Sequence, residues 1–258
     1  MIAIHPTAII DSSAEIGNGV SVGPYSVIGP DVVIGDECWI GPHVVINGPT
    51  TLGRENKIFQ FSSVGEVPQD LKFEGENTRL EIGDRNTIRE FSTINRGTGV
   101  GGGVTRIGND NLLMAYIHIA HDCIIGNNVI LSNNASLAGH VEVHDNVILG
   151  GFTLVHQFCT IGKHVFAGMG SAIAKDIPPY ILVNGSPAVP HGLNKVGLKR
   201  RGYSEEQLRQ LSRAYKLLYR QGLSLDEAKS QLQQLSEKSD EVQQFADFIE
   251  QSTRSIIR

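Results

Sequence analysis

Nine histidines are spread through this 258-residue chain, and several of them fall in step with a period of 18. Divided by 18, His121, Gly139 and Gln157 all leave 13, while His156 leaves 12 and His140 leaves 14. If 18 residues make one turn of a repeating fold, a single corner gathers three imidazoles, a glutamine and a glycine over three successive turns. His118 leaves 10 and lies just upstream, whereas His144 and His164 leave 0 and 2 and belong elsewhere. A lone histidine is more often a satisfied structural residue, the reading that suits His5, His43, His144 and His164. A converging set is different, because imidazole has the unperturbed pKa best placed for a general base near neutrality. Two chemistries use such a corner. In acyl transfer a histidine deprotonates a hydroxyl or amine that attacks a thioester; in a zinc site three histidines meet at a subunit boundary with a position left open for water. The spacing is against zinc: His118 and His121 are three apart, and no metal signature surrounds them.

Two further clusters could reach a ligand. The segment GEVPQDLKFEGENTR carries Gln69, Asp70 and Lys72. Farther on, KVGLKRRGY puts Lys195, Lys199, Arg200 and Arg201 just after His191 and Asn194. A basic run is usually a solvated face, but at a junction between domains it suits a phosphate or pyrophosphate, or an acidic carrier protein.

The elements that would hold these residues are legible from one rhythm. An aliphatic side chain recurs every sixth position from Ile4 to Val64, again at Ile82, Ile88 and Ile94, and again from Ile107 to Ile173. Neither an amphipathic helix nor an alternating strand has period six. It is the hexapeptide signature of a parallel β-helix, in which each hexad forms one flat side and three hexads close a triangular coil. The 26 hexads make close to nine coils, a prism roughly 43 Å tall at ~4.8 Å per coil. Many of the 29 glycines sit beside the repeating aliphatic, where corners would need conformations that a side chain resists. The beat breaks at 65–79, which returns in register because 82 minus 64 is 18, and at 95–106, a glycine-rich stretch that shifts register and reads as a flexible excursion. Such interruptions are where binding loops project.

The β-helix is expected over 1–185. Beyond DIPPYILVNGSPAVPHG, a helical domain is expected over 186–258: Ser204 with Gln207 and Ser224 with Glu227 are capping-box starts, each followed by helically spaced apolar residues. A third helix carries Val242, Phe245, Phe248 and Ile249. These helices would cover the open end of the coil, whose last turn otherwise leaves backbone groups unpaired.

The net charge of -5 argues against bulk attraction to nucleic acid or an anionic membrane. Cys38, Cys123 and Cys159 occupy hexad positions filled elsewhere by small core residues, and two coils separate Cys123 from Cys159, about 9.6 Å and beyond disulfide reach. A reduced, cytoplasmic protein is expected, with no signal peptide in MIAIHPTAII and no membrane insertion.

With the hexads, the segments IAHDC, LAGHVEVHD, LVHQF and GLNKVGLKRRGY together resemble the acyl-[acyl-carrier-protein]:UDP-N-acetylglucosamine O-acyltransferases of lipid A biosynthesis, from end to end of the chain. The resemblance implies a left-handed β-helix, an exception to the usual right-handed crossover, and a homotrimer with sites between subunits. It implies no cofactor and no metal. The substrates would be UDP-N-acetylglucosamine and an (R)-3-hydroxyacyl chain on acyl carrier protein. His121 would be the general base on the glucosamine 3-hydroxyl, Asp122 would orient its imidazole, and the Gly139 N–H would donate to the oxyanion. Gln69, Asp70, Lys72, His118, His140, His156 and Gln157 would hold the sugar nucleotide and the acyl 3-hydroxyl, with His191, Asn194, Arg200 and Arg201 near the uridine and phosphates. Met169 would end the acyl groove as a ruler, favouring 3-hydroxydecanoyl over 3-hydroxymyristoyl donors. The N-acyltransferase of the same pathway carries a uridine-binding domain before its β-helix, for which a chain whose hexads begin at Ile4 has no room.

Overall fold

The hexad rule builds the coil directly. In a computed structural model, which describes residues 3–237 and 239–258, nearly every repeating aliphatic ends a strand of two to four residues and points inward. Val22 pairs in parallel with Ile40 and Ile40 with Ile58, so identical positions of successive hexads stack into ladders. Three faces result, of 11, 9 and 8 strands, parallel throughout except for the last pair of the first face, and the chain is a left-handed parallel β-helix. Its core is a column of Ile28, Ile34, Ile40, Ile46 and Ile58, all buried, continued by Leu113, Ile119, Leu131 and Leu149.

The column is not purely apolar. The Asn86 side chain accepts from the Asn111 N–H at 3.0 Å and donates to Asn56 Oδ1 at 3.1 Å and to the Gly108 carbonyl at 2.9 Å. This asparagine ladder satisfies backbone groups that the turns leave without a strand partner. The three cysteines are free and buried, as their hexad positions require.

The glycines have another purpose than the corner freedom expected of them. Most corners are turned by side-chain-bearing residues with positive φ, among them Tyr25, Glu37, His43, Asp122 and His140. Gly35, by contrast, keeps an ordinary φ, and a Cβ there would lie 2.7 Å from the backbone of Gly53 in the next coil. Close stacking of coils, not left-handed backbone, demands it.

Both interruptions leave the coil more briefly than the sequence suggests. Val64 pairs with Ile94, 30 residues on instead of 18, so 12 residues are extra; the break advances the chain one face, not one whole coil. The strands on either side end at Glu66 and resume at Arg79. The second break separates Asn95 from Val104, and Ile82 pairs with Ile107, which leaves seven extra residues.

At the far end Ile181–Asn184 and Val189–Leu193 form an antiparallel pair that continues the first face. The expected domain boundary at 186 therefore falls inside this hairpin, and the helical part starts later. It comprises α1 (Lys195–Arg200), α2 (Glu205–Tyr219), α3 (Leu225–Ser236) and α4 (Asp240–Gln251). The basic run at the junction itself forms α1, with Arg201 as its C-cap. Capping boxes at Ser204 and Ser224 start α2 and α3 as expected. Leu198, Leu211, Leu218, Phe245 and Ile249 extend the core of the coil into the helices. Among the described residues, no helix is long and apolar enough to cross a membrane.

Candidate active site

Three elements converge on the corner after the second face. The strand His118–Ile119 delivers His121 and Asp122, the strand Ser136–Leu137 one rung up delivers Gly139 and His140, and Leu154–Val155 delivers Gln157 and Phe158. With Gln69, Asp70, Leu71 and Lys72 of the first loop and Val100 of the second, the side chains of His121, His140, Gln157 and Phe158 line a cavity of about 690 Å³. The first loop is tied down where it leaves the coil. The Asn95 amide donates to the Val67 carbonyl at 2.9 Å, and the Arg96 guanidinium donates to the carbonyls of Gly48 and Gly65 at 3.0 and 3.2 Å and faces the Phe73 ring.

The His121 ring is oriented on two sides. Its Nδ1 lies 2.8 Å from Asp122 Oδ2. Asp122 is a buried carboxylate whose Oδ1 accepts from the Thr98 N–H at 2.9 Å and whose Oδ2 accepts from the Thr98 hydroxyl at 2.7 Å. A carboxylate only accepts, so Nδ1 carries the proton in this pair and Nε2 is left with a lone pair. On the other side the ring rests on Gly139: a Cβ there would come within 2.5 Å of Cε1 and 2.8 Å of Nε2. Among the described residues the Gly139 N–H has no protein acceptor.

His140 crosses His121 edge-on, with ring centroids 5.2 Å apart, and stacks on Phe158 at 4.5 Å. Burial pulls the His140 pKa below its ordinary value, although Asp122 opposes the shift. Burial does the same to His118, helped by the nearby His121, and the Thr93 hydroxyl meets its Nδ1 at 2.7 Å. Both rings are thereby held neutral near pH 7, able to donate and to accept.

Three ligand atoms, from His121, Asp122 and His140, lie within 4.8 Å of one another, the reach of one metal ion. Both Asp122 oxygens accept from Thr98, and Oδ2 also meets His121 Nδ1, an arrangement suited to orienting the imidazole. The neighbouring thiol is not competent. Cys123 follows Asp122 directly, but burial pushes it up to about 12 and its Sγ donates to the Ala138 carbonyl.

The 18-residue arithmetic thus brings together His121, Gly139, His140 and Gln157. It does not bring His156, whose Nδ1 turns to the Arg254 guanidinium at 2.9 Å on the C-terminal tail. His191, Asn194, Arg200 and Arg201 do not line the cavity either. Asn194 is largely engaged: it caps α1 by accepting from the Gly197 N–H at 3.1 Å and donates to the His164 carbonyl at 3.0 Å. Met169 is 77% exposed on the corner before the second face, three rungs from His121 or ~14 Å along the prism. His164, expected to be a satisfied residue, is satisfied on one side only. Its Nε2 meets the Tyr203 hydroxyl at 3.1 Å, while its buried Nδ1 has no partner among the described residues.

Sequence reasoning missed Phe158, Leu71, Val100 and Thr98. Phe158 was within its reach, since 158 leaves 14 on division by 18, the phase of His140. The other three sit in the excursions, where no beat assigns a side chain to a face.

Comparison with known proteins agrees with this architecture. Residues 176–257 match the family described as UDP N-acetylglucosamine O-acyltransferase, domain 2, and residues 104–139 match the bacterial transferase hexapeptide family. The chain is 58% identical over 258 residues, 100% of both chains, to an acyl-[acyl-carrier-protein]--UDP-N-acetylglucosamine O-acyltransferase of Thiobacillus denitrificans. Among solved structures it is similar to the UDP-N-acetylglucosamine O-acyltransferase of Moraxella catarrhalis, with 48% identity, TM-score 0.96 and 99% of each chain covered. It is also similar to the UDP-N-acetylglucosamine acyltransferase of Francisella novicida, with 41% identity, TM-score 0.97 and 99% and 94% of the two chains covered.

Proposed function

The chain belongs to the acyl-[acyl-carrier-protein]--UDP-N-acetylglucosamine O-acyltransferase family, and on that premise we propose that it moves an (R)-3-hydroxyacyl group from acyl carrier protein to the 3-hydroxyl of UDP-N-acetylglucosamine, the opening step of lipid A synthesis. The observation that carries the reading is the His121 ring, held between the Asp122 carboxylate and Gly139, whose N–H has no protein acceptor among the described residues. His121 Nε2 takes the proton of the sugar 3-hydroxyl as its oxygen attacks the thioester carbonyl carbon. The Gly139 N–H donates to the oxyanion of the tetrahedral intermediate. Collapse breaks the C–S bond, and the imidazolium returns its proton to the departing thiolate. The ester and the free carrier thiol are the products, with no covalent acyl-enzyme and no cofactor.

Gln69, Asp70, Lys72, His118, His140 and Gln157 hold the sugar and the acyl 3-hydroxyl around this centre, with His156 beside them. In a homotrimer, His191, Asn194, Arg200 and Arg201 of α1 and its approach reach the uridine and phosphates across a subunit boundary, which accounts for their distance from the cavity of one protomer. Met169 ends the acyl groove and selects 3-hydroxydecanoyl donors. The protein acts in the cytoplasm, where acyl carrier protein is its partner.

The test is acyl transfer from 3-hydroxydecanoyl and 3-hydroxymyristoyl carrier protein to labelled UDP-N-acetylglucosamine, with wild type and His121→Ala. A general base contributes on the order of 100- to 10,000-fold, so the variant should fall by at least about 100-fold. Equal rates for the two proteins would remove His121 from the chemistry, and no product from wild type with either donor would remove the reaction.

A further inference from the structure

The second excursion, read from its glycines as a flexible loop, is fastened to the centre of the site. Thr98 is buried, and it gives Asp122 both of its donors, the N–H to Oδ1 at 2.9 Å and the hydroxyl to Oδ2 at 2.7 Å. The hydroxyl has one proton, and its orientation is fixed because the same oxygen accepts from the Gly101 N–H at 3.1 Å. The Thr98 carbonyl accepts from the Gly103 N–H at 2.8 Å, closing the loop on itself. Gly101 lies against the other side of the carboxylate, where a Cβ would fall 2.1 Å from Asp122 Cγ. From below, the Asp122 N–H donates to the Thr105 hydroxyl at 2.8 Å. The carboxylate is thus enclosed by residues of the excursion and the strand after it, and among the described residues its one remaining partner at hydrogen-bond distance is His121 Nδ1 at 2.8 Å.

We infer that Thr98 is a positioning residue for the reaction, fixing the plane of the Asp122 carboxylate and through it the rotation and tautomer of His121. The inference rests on His121 being the base. An imidazole whose Nδ1–H is held by a carboxylate free to rotate samples orientations in which Nε2 misses the sugar hydroxyl; two bonds from one residue remove that freedom. The loop's brevity, seven extra residues, serves the same end, since Thr98 has to reach across a corner to a carboxylate on the next coil.

The experiment compares wild type, Thr98→Val, Thr98→Ser and Gly101→Ala by steady-state kinetics. The proton titration of the His121 ring is followed by NMR of histidine-labelled protein, with His121→Ala to assign the signal. Valine keeps the shape and the backbone donor but removes the hydroxyl. Loss of one hydrogen bond to a charged acceptor should lower kcat about tenfold with little change in KM, raise the His121 titration midpoint because the less neutralised carboxylate favours the imidazolium, and move the acid limb of the kcat profile with it. Serine should restore all three. Alanine at 101 should lower kcat by displacing the carboxylate from its other side. A Thr98→Val enzyme with kcat within twofold of wild type and an unmoved His121 titration would overturn the inference. If the titration moves while wild type transfers no acyl group, the positioning stands and the proposed reaction falls.

Discussion

Gly139→Ala is the sharpest single perturbation, because the structure fixes what the added methyl meets. The new Cβ would lie 2.5, 2.8 and 3.1 Å from Cε1, Nε2 and Nδ1 of His121. Carbon atoms rest at about 3.5–4.0 Å, so the ring has to retreat by about 1 Å. It cannot retreat freely, since Nδ1 is held at 2.8 Å by Asp122 and His140 stands edge-on beside it. A displacement of about 1 Å at a reacting group costs on the order of 100-fold, or about 2.7 kcal/mol of barrier. Backbone strain does not confuse the result, because Gly139 is not in the left-handed region, and alanine keeps the N–H. Steady-state transfer should therefore show kcat down about 100-fold with the midpoint of thermal unfolding moved by only a few degrees. A variant that keeps kcat within about threefold would refute the argument that this glycine exists to let the base rest against the main chain.

Other outcomes follow from the same geometry. Met169→Gly should shift the donor preference from 3-hydroxydecanoyl toward 3-hydroxymyristoyl carrier protein; an unchanged chain-length profile would remove Met169 as the ruler. In trimers mixed from His121→Ala and Met169→Gly subunits, every surviving base belongs to a Met169→Gly subunit, so some sites should keep the wild-type preference if one subunit's base works against another's ruler, whereas a uniformly longer-chain preference would confine each site to one subunit. His164 faces Lys163, Arg201 and Asp145 under stacked Tyr180 and nearby Tyr203, and burial, with the two cations, lowers its pKa from 6.5 to about 4. A histidine depressed in the fold binds fewer protons there than when unfolded, so its contribution is intact above about pH 6.5 and lost as pH falls toward 4, by about 2–3 kcal/mol after solvent screening; urea unfolding across that window should show the loss in wild type and not in His164→Phe. Asn86→Ala should destabilise by about 3 kcal/mol by leaving the Asn111 N–H and the Gly108 carbonyl without their side-chain partner, read as a lower urea midpoint with unchanged slope.

Period six was enough to determine the coil, because a hexad that buries one aliphatic per face has a single way to stack on its neighbours. The same regularity carried the phase of His121, Gly139, His140 and Gln157 to one corner without coordinates, and two capping boxes placed α2 and α3. What the sequence could not decide lies wherever the chain leaves the repeat. Thr98, Val100 and Leu71 sit in excursions whose paths depend on what they touch, so the clamp on Asp122 was invisible, and a glycine-rich stretch looked flexible when its hydrogen bonds fix it. His156 has the right phase for the cluster, yet a guanidinium nearly 100 residues later, on the returning tail, takes its Nδ1. Asn194 looked like a ligand residue beside cations, and the fold uses its amide to start α1 and to hold the His164 carbonyl. Local periodicity determines which residues share a corner; only tertiary contacts between distant segments decide which of their polar groups remain free for chemistry.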